Sequence, residues 1–125
     1  MSLVLIDTCA WIDFLRYQNG ELGNQVAALI ENEQAAICGV VVAELLQGSK
    51  SEKQKQQIEL LINTVTYLEM QEFDWMSAGQ LLQELRTQGI TLPLTDALIA
   101  VIAQRHQVSV LTIDKHFQHL AVKLI

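Results

Sequence analysis

Residues 3–16 read LVLIDTCAWIDFLR, and the way this stretch parses decides the fold. Four apolar residues, LVLI, run into a carboxylate, Asp7, followed by Thr8, Cys9 and the helix-period segment WIDFLR. A short apolar strand that passes directly into a helix is the opening of an α/β unit. The acid at the junction is not explained by packing. An ionised carboxylate in an apolar setting needs a cation, a set of hydrogen-bond donors or a proton.

The same alternation continues along the chain. β-rich apolar runs stand at LVLI (3–6), AAIC (35–38), VTYL (65–68), VSVLTI (108–113) and VKLI (122–125). Between them lie the helix-period segments WIDFLR, LGNQVAALIEN, VVAELLQG, SEKQKQQIELLIN, EFDWMSAGQLLQELRTQG and TDALIAVIAQRHQ. Strands alternating with longer helices predict an α/β fold with a mainly parallel central sheet. Ser51 followed by Glu52 marks a helix start, and Gly48 and Gly89 stand where helices stop. In the long fifth segment Phe73, Met76, Leu81, Leu82 and Leu85 recur near helical spacing and predict a core-facing stripe.

The bulk composition sets the outer limits. With 125 residues, half of them hydrophobic, and a single proline (Pro93), the chain reads as one domain over 1–125 with no linker. Its apolar runs are shorter than the roughly 20 residues a membrane span needs, and no basic segment precedes a signal-like stretch. A cytoplasmic protein is expected. Cys9 and Cys38 sit in apolar contexts and read as two reduced thiols rather than a disulfide. The net charge of −6, with only eight Lys and Arg, argues against a broad basic face for nucleic acid. It leaves open a protein that reaches phosphate through metal ions.

Ten of the fourteen acids have ordinary surface surroundings, such as Glu33 at the end of an amphipathic segment. Asp7, Glu44, Asp96 and Asp114 differ, because each is a lone charge within or at the end of an apolar run. Asp7 and Asp114 follow strands, at the edge where open α/β sheets place ligands. Asp96 opens a helix after Pro93 and Thr95, and Glu44 lies one turn into the helix that follows AAIC. All four can converge at one sheet edge. Converging carboxylates repel unless a cation joins them, and hard ions such as Mg2+ or Mn2+ take oxygen ligands.

The ordered set IDTCAWIDFLR, VVAELLQG, LTDALIA and LTIDKHF resembles the PIN-domain ribonucleases, most closely the VapC-type toxins of bacterial toxin/antitoxin pairs. The resemblance runs from residue 4 to about residue 117. It implies a PIN-like three-layer α/β/α domain and Mg2+- or Mn2+-dependent hydrolysis of RNA. It also implies a homodimer neutralised by a small antitoxin protein. The family's acidic site falls on Asp7, Glu44, Asp96 and Asp114 as catalytic residues and metal ligands, and Thr112 matches its hydroxyl position. Cys9 stands where the family more usually has another small residue.

Around these acids, Thr8 and Thr112 are candidate hydrogen-bond donors to carboxylate or phosphate, and Arg16 is a candidate contact to the RNA backbone. Lys50, Lys53 and Lys55 read as a solvated face. Asp13 and Arg16, three residues apart, suggest a surface ion pair. His106, His116 and His119 lack the convergence of a metal cluster and read as surface or capping residues. Trp11 and Trp75 read as core or interface anchors. Three other functions fit less well: a PIN RNA-processing nuclease that is not a toxin, a phosphoacceptor signalling domain, and a catalytically silent binding module. The phosphoacceptor would need a phosphorylatable Asp on a central strand, but AAIC ends without one.

Overall fold

Val4, Leu5 and Ile6 form strand β1 (Val4–Ile6), with every side chain buried. Continuous apolar runs of this kind suit a strand covered on both faces. The structure, a computed structural model, describes residues 2–17 and 19–125. After β1 come α1 (Thr8–Arg16), α2 (Glu21–Glu31), β2 (Ala35–Cys38), α3 (Gly39–Gln47) and α4 (Glu52–Thr64). The chain continues with β3 (Thr66–Leu68), α5 (Glu72–Thr87), α6 (Leu94–His106), β4 (Ser109–Leu111) and a 3-10 turn at Lys115–His119.

The sheet has the order β3-β2-β1-β4 and every pairing is parallel. Leu5 lies opposite Ala36 on one side and Val110 on the other. Going from β1 to β2 to β3 the chain steps in one direction, then returns across the sheet to β4. Right-handed crossovers therefore put α1–α4 on one face and α5–α6 on the other, a three-layer α/β/α arrangement. The order reverses between β1 and β4, so the crevice for a ligand opens past their carboxyl ends.

Local chemistry explains most element ends. Ser51 accepts a hydrogen bond from Gln54 N and starts α4, and Gly89, at φ 81°, follows the end of α5 in the left-handed region that glycine favours. Helix α6 is buried from Asp96 through Ala103, which makes it the central helix of the core rather than an amphipathic cover.

Three expectations change. The segment 122–125 forms no strand; it meets β4 only in a parallel bridge between Val110 and Leu124. Strand β4 ends at Leu111, so Thr112 and the exposed Ile113 lie in a loop. In α5, Phe73 and Met76 are exposed, and the inward stripe is Asp74, Ala78 and Leu85 flanked by Leu81 and Leu82. Gln71 and Asp74 form a reciprocal capping box at the start of this helix, which rotates Asp74 inward and Phe73, Trp75 and Met76 outward. Trp11 is fully buried in the core, whereas Trp75 is exposed. Among the described residues no helix is long and apolar enough to cross a membrane.

Candidate active site

Asp7 directly follows β1 and is the N-cap of α1. Its Oδ1 accepts from Thr8 N at 2.8 Å, and the residue is buried, with 5% of its area exposed. Its other oxygen, Oδ2, accepts from Thr112 Oγ1 at 2.7 Å. The Thr112 hydroxyl in turn accepts from Asp114 N at 2.9 Å. One threonine therefore joins the loops that leave the two neighbouring strands β1 and β4. Glu44 is reached from the same turn, since Thr8 Oγ1 donates to Glu44 Oε1 at 2.7 Å.

Asp96 lies in the first turn of α6 and is buried. Burial raises its carboxyl pKa; the hydrogen bond with His116 opposes this, and the charges of Asp114 and Asp7 push it further up. His116 Nδ1 is 2.7 Å from Asp96 Oδ2 and 3.2 Å from Asp114 Oδ1. The hydrogen bond to Asp96, joined by the charges of Asp114 and Asp96, raises the imidazole pKa above its ordinary value against the opposing effect of desolvation. Asp114 Oδ1 also caps the 3-10 turn by accepting from His116 N at 2.9 Å.

Of the four acids singled out in the sequence, Asp96 and Asp114 are joined through His116, Asp7 is tied to Asp114 through Thr112, and Glu44 is linked to this end of the sheet through Thr8. Asp96, Asp114 and His116 each offer a ligand atom, all within 4.8 Å of one another. A donor set of carboxylates and an imidazole is chemistry that suits a divalent cation. His116 is exposed and capped as expected, but it also converges with two acids, which the sequence reading did not foresee.

Cys9 Sγ lies 3.6 Å from both Asp7 Oδ2 and Thr112 Oγ1. Burial is the main reason its thiol pKa is raised, which keeps it protonated beside the acids. Cys9 and Cys38 are both free thiols, and burial pushes Cys38 up to about 11. Arg16 is exposed and shares with Glu44, Lys50, Gln54 and Gln57 the wall of a cleft of about 400 Å³ between α1, α3 and α4. No ion pair joins Arg16 to Asp13 among the described residues; instead Asp13 Oδ2 accepts from Gly23 N at 2.6 Å and fastens α2 to α1.

A second charged cluster was not legible as such. Asp74, counted among the surface acids, is fully buried and takes two parallel bonds from Arg105 Nε and Nη2, each 2.8 Å. Arg105 Nη2 also donates to Glu69 O at 2.8 Å. The Arg105 guanidinium holds the Asp74 carboxyl below its ordinary range. This pair lies at the far end of α6 from Asp96 and ties α6 to α5.

Known proteins share the family and the fold. The PIN domain profile matches residues 4–123. A VapC ribonuclease of Mycobacterium bovis and ribonuclease VapC11 of Mycobacterium tuberculosis are each 28% identical over 123 residues, which is 95% of this chain and 92% of theirs. The DNA-bound VapBC structure from Salmonella typhimurium superposes with a TM-score of 0.84 at 20% identity, covering 100% of this chain and 98% of that one. VapBC2 from Rickettsia felis, bound to a promoter fragment, gives 0.81 at 22% identity over 98% and 97% of the two chains. These structural likenesses establish the shared fold.

Proposed function

This chain belongs to the PIN domain family, and on that footing we propose that it is an endoribonuclease. It would hydrolyse RNA phosphodiester bonds with Mg2+ or Mn2+ as the toxin of a toxin/antitoxin pair. The observation that supports the reading is that Asp7 and Asp114, past the carboxyl ends of the adjacent parallel strands β1 and β4, are linked through Thr112 and His116 to Asp96 in the first turn of α6. Relatives named as VapC ribonucleases and a fold shared with a toxin-antitoxin complex from Klebsiella pneumoniae support it.

Asp7, Asp96 and Asp114 would hold the cation, with Glu44 at its margin. A divalent ion there supplies positive charge to an anionic phosphodiester and acidifies a water. The chain's own residues do the rest. Thr112 fixes the Asp7 carboxylate through its hydroxyl and, through Asp114 N, sets the loop carrying the third acid. Thr8 engages Glu44 Oε1, so Oε2 is the oxygen to take a proton from the attacking water. Arg16, on the cleft that leads away from Glu44, would contact a backbone phosphate. A small cognate antitoxin would silence the site by bringing an Arg or Lys to the same acids, replacing the ion's charge without its chemistry.

The test is cleavage of a defined RNA by the purified protein. Cutting should require Mg2+ or Mn2+ and stop on chelation. Equal cleavage in excess chelator would defeat the metal mechanism, and metal binding without cleavage would favour a silent module.

A further inference from the structure

We propose that His116 is a nitrogen ligand of the cation held by Asp96 and Asp114, and that this donor shifts the site's preference from Mg2+ toward Mn2+ and its first-row neighbours. The proposal rests on the reading above that a divalent ion binds in this crevice. Its geometry is specific to these residues. Nδ1 of His116 lies 2.7 Å from one carboxylate oxygen and 3.2 Å from another. In an octahedral site with ligands at about 2.1 Å, adjacent donor atoms stand about 3 Å apart. The two contacts bracket that spacing. A single hydrogen bond accounts for the approach to Asp96, whereas a second carboxylate near the same nitrogen puts three donor atoms within 4.8 Å of one another.

The ring is held there by its turn. Asp114 accepts from His116 N, and the next residue, Phe117, is 1% exposed and anchored in the core. The His116 side chain itself is half-exposed, at 46%, so a hydrated ion can reach it from solvent. Mg2+ favours oxygen and gives up water reluctantly, whereas imidazole is a better donor to transition ions, whose affinities rise from Mn2+ through Ni2+. A site of carboxylates alone would not make this distinction so strongly. On neutral His116 the effect is one of donor type, since removing the ring removes no negative charge from the site.

The experiment uses Mn2+ itself as probe. Electron spin-echo modulation of the Mn2+ complex should show coupling to a directly bound nitrogen in the parent protein. That coupling should vanish in His116→Gln, which keeps hydrogen-bonding capacity toward Asp96. Calorimetry with Mn2+ and with Mg2+ should show the Mn2+:Mg2+ affinity ratio falling roughly 10-fold in His116→Gln and holding in His119→Gln, an exposed neighbour on the same turn. If Mn2+ binds without nitrogen coupling and the ratio is the same in all three proteins, His116 is only a hydrogen-bond partner and the inference fails while the nuclease reading stands. If neither ion binds the parent protein, both fail together.

Discussion

Asp96 costs the folded protein something that only its function returns. Burial, Asp114 and Asp7 together raise the Asp96 pKa over the opposing bond from His116. A raised carboxyl pKa means stability that is full below the ordinary carboxylate range and is lost as pH rises through the folded value. At neutral pH without metal, Asp96→Asn should therefore hold or raise the melting temperature. Its RNA cleavage should drop by at least the roughly 10–100-fold that changes one shell further out produce. Asp7→Asn keeps an oxygen to cap α1 and should behave alike, while Glu33→Gln should stay within roughly 0.5 kcal/mol and keep full activity. Melting curves and cleavage rates with and without Mg2+ on the three variants check this; an unfolded Asp7→Asn whose parent gains nothing from Mg2+ would mark a structural acid. Thr112→Val, which removes the bridge between Asp7 and Asp114, should retain the fold and lose activity by roughly 10–100-fold. The four acids were legible because each is a lone charge against apolar neighbours. His116 was not, because in the polar run DKHFQH nothing in local composition separates it from His119; only the return of α6 to the end of β4 brings Asp96 to it.

Helix α5 shows how one inward polar residue can reset the phase of an element. The sequence periodicity is real, but Leu81, Leu82 and Leu85 fit two registers, one continued by Phe73 and Met76 and the other by Asp74 and Ala78. The second is adopted because Asp74 meets Arg105, 31 residues away, and no local pattern announces so distant a partner. Removing Arg105 leaves a buried carboxylate without its cation, so Arg105→Met should destabilise the fold by roughly 3 kcal/mol or more, read from urea unfolding at pH 7. The depressed Asp74 pKa has a sign opposite to that of Asp96: the stability it contributes is present above the ordinary carboxylate pKa and is lost as pH falls through the lower folded value. The stability gap between parent and Arg105→Met should accordingly narrow in strong acid. A gap that stays constant down to that range would place the pair's contribution elsewhere.

Across the whole molecule, the parallel sheet and the order of its helices followed from the strand-helix alternation, since every strand predicted before residue 112 is present within a residue or two except at the carboxyl end of β4. The terminal strand did not form because VKLI meets β4 through one bridge, with Val110 N bonded to Lys123 O at 2.8 Å. The outward rotation of α5 leaves Phe73 65% and Met76 59% exposed, beside Trp75. A symmetric homodimer is the expected state, and these large apolar side chains on one exposed turn are where we expect its contact. The parent should sediment as a dimer at roughly tens of micromolar, a concentration within ordinary association affinities. Phe73→Ser combined with Met76→Ser should shift it toward monomer.

The pairing of Leu5 with Val110 also sets a clock. Strand β1 leaves the ribosome first, yet its neighbour β4 is made more than a hundred residues later, and at about 5–20 residues per second that is a wait of roughly 5–20 s. The bond from Thr112 to Asp7 and the approach of Asp114 to Asp96 both fall after that wait. Until then Asp7 lacks its Thr112 partner and Asp96 lacks Asp114, and the site is incomplete. A nuclease emerging beside messenger and ribosomal RNA is thereby unarmed during its own translation, because the contact that closes the sheet and the contact that assembles the site are the same late event.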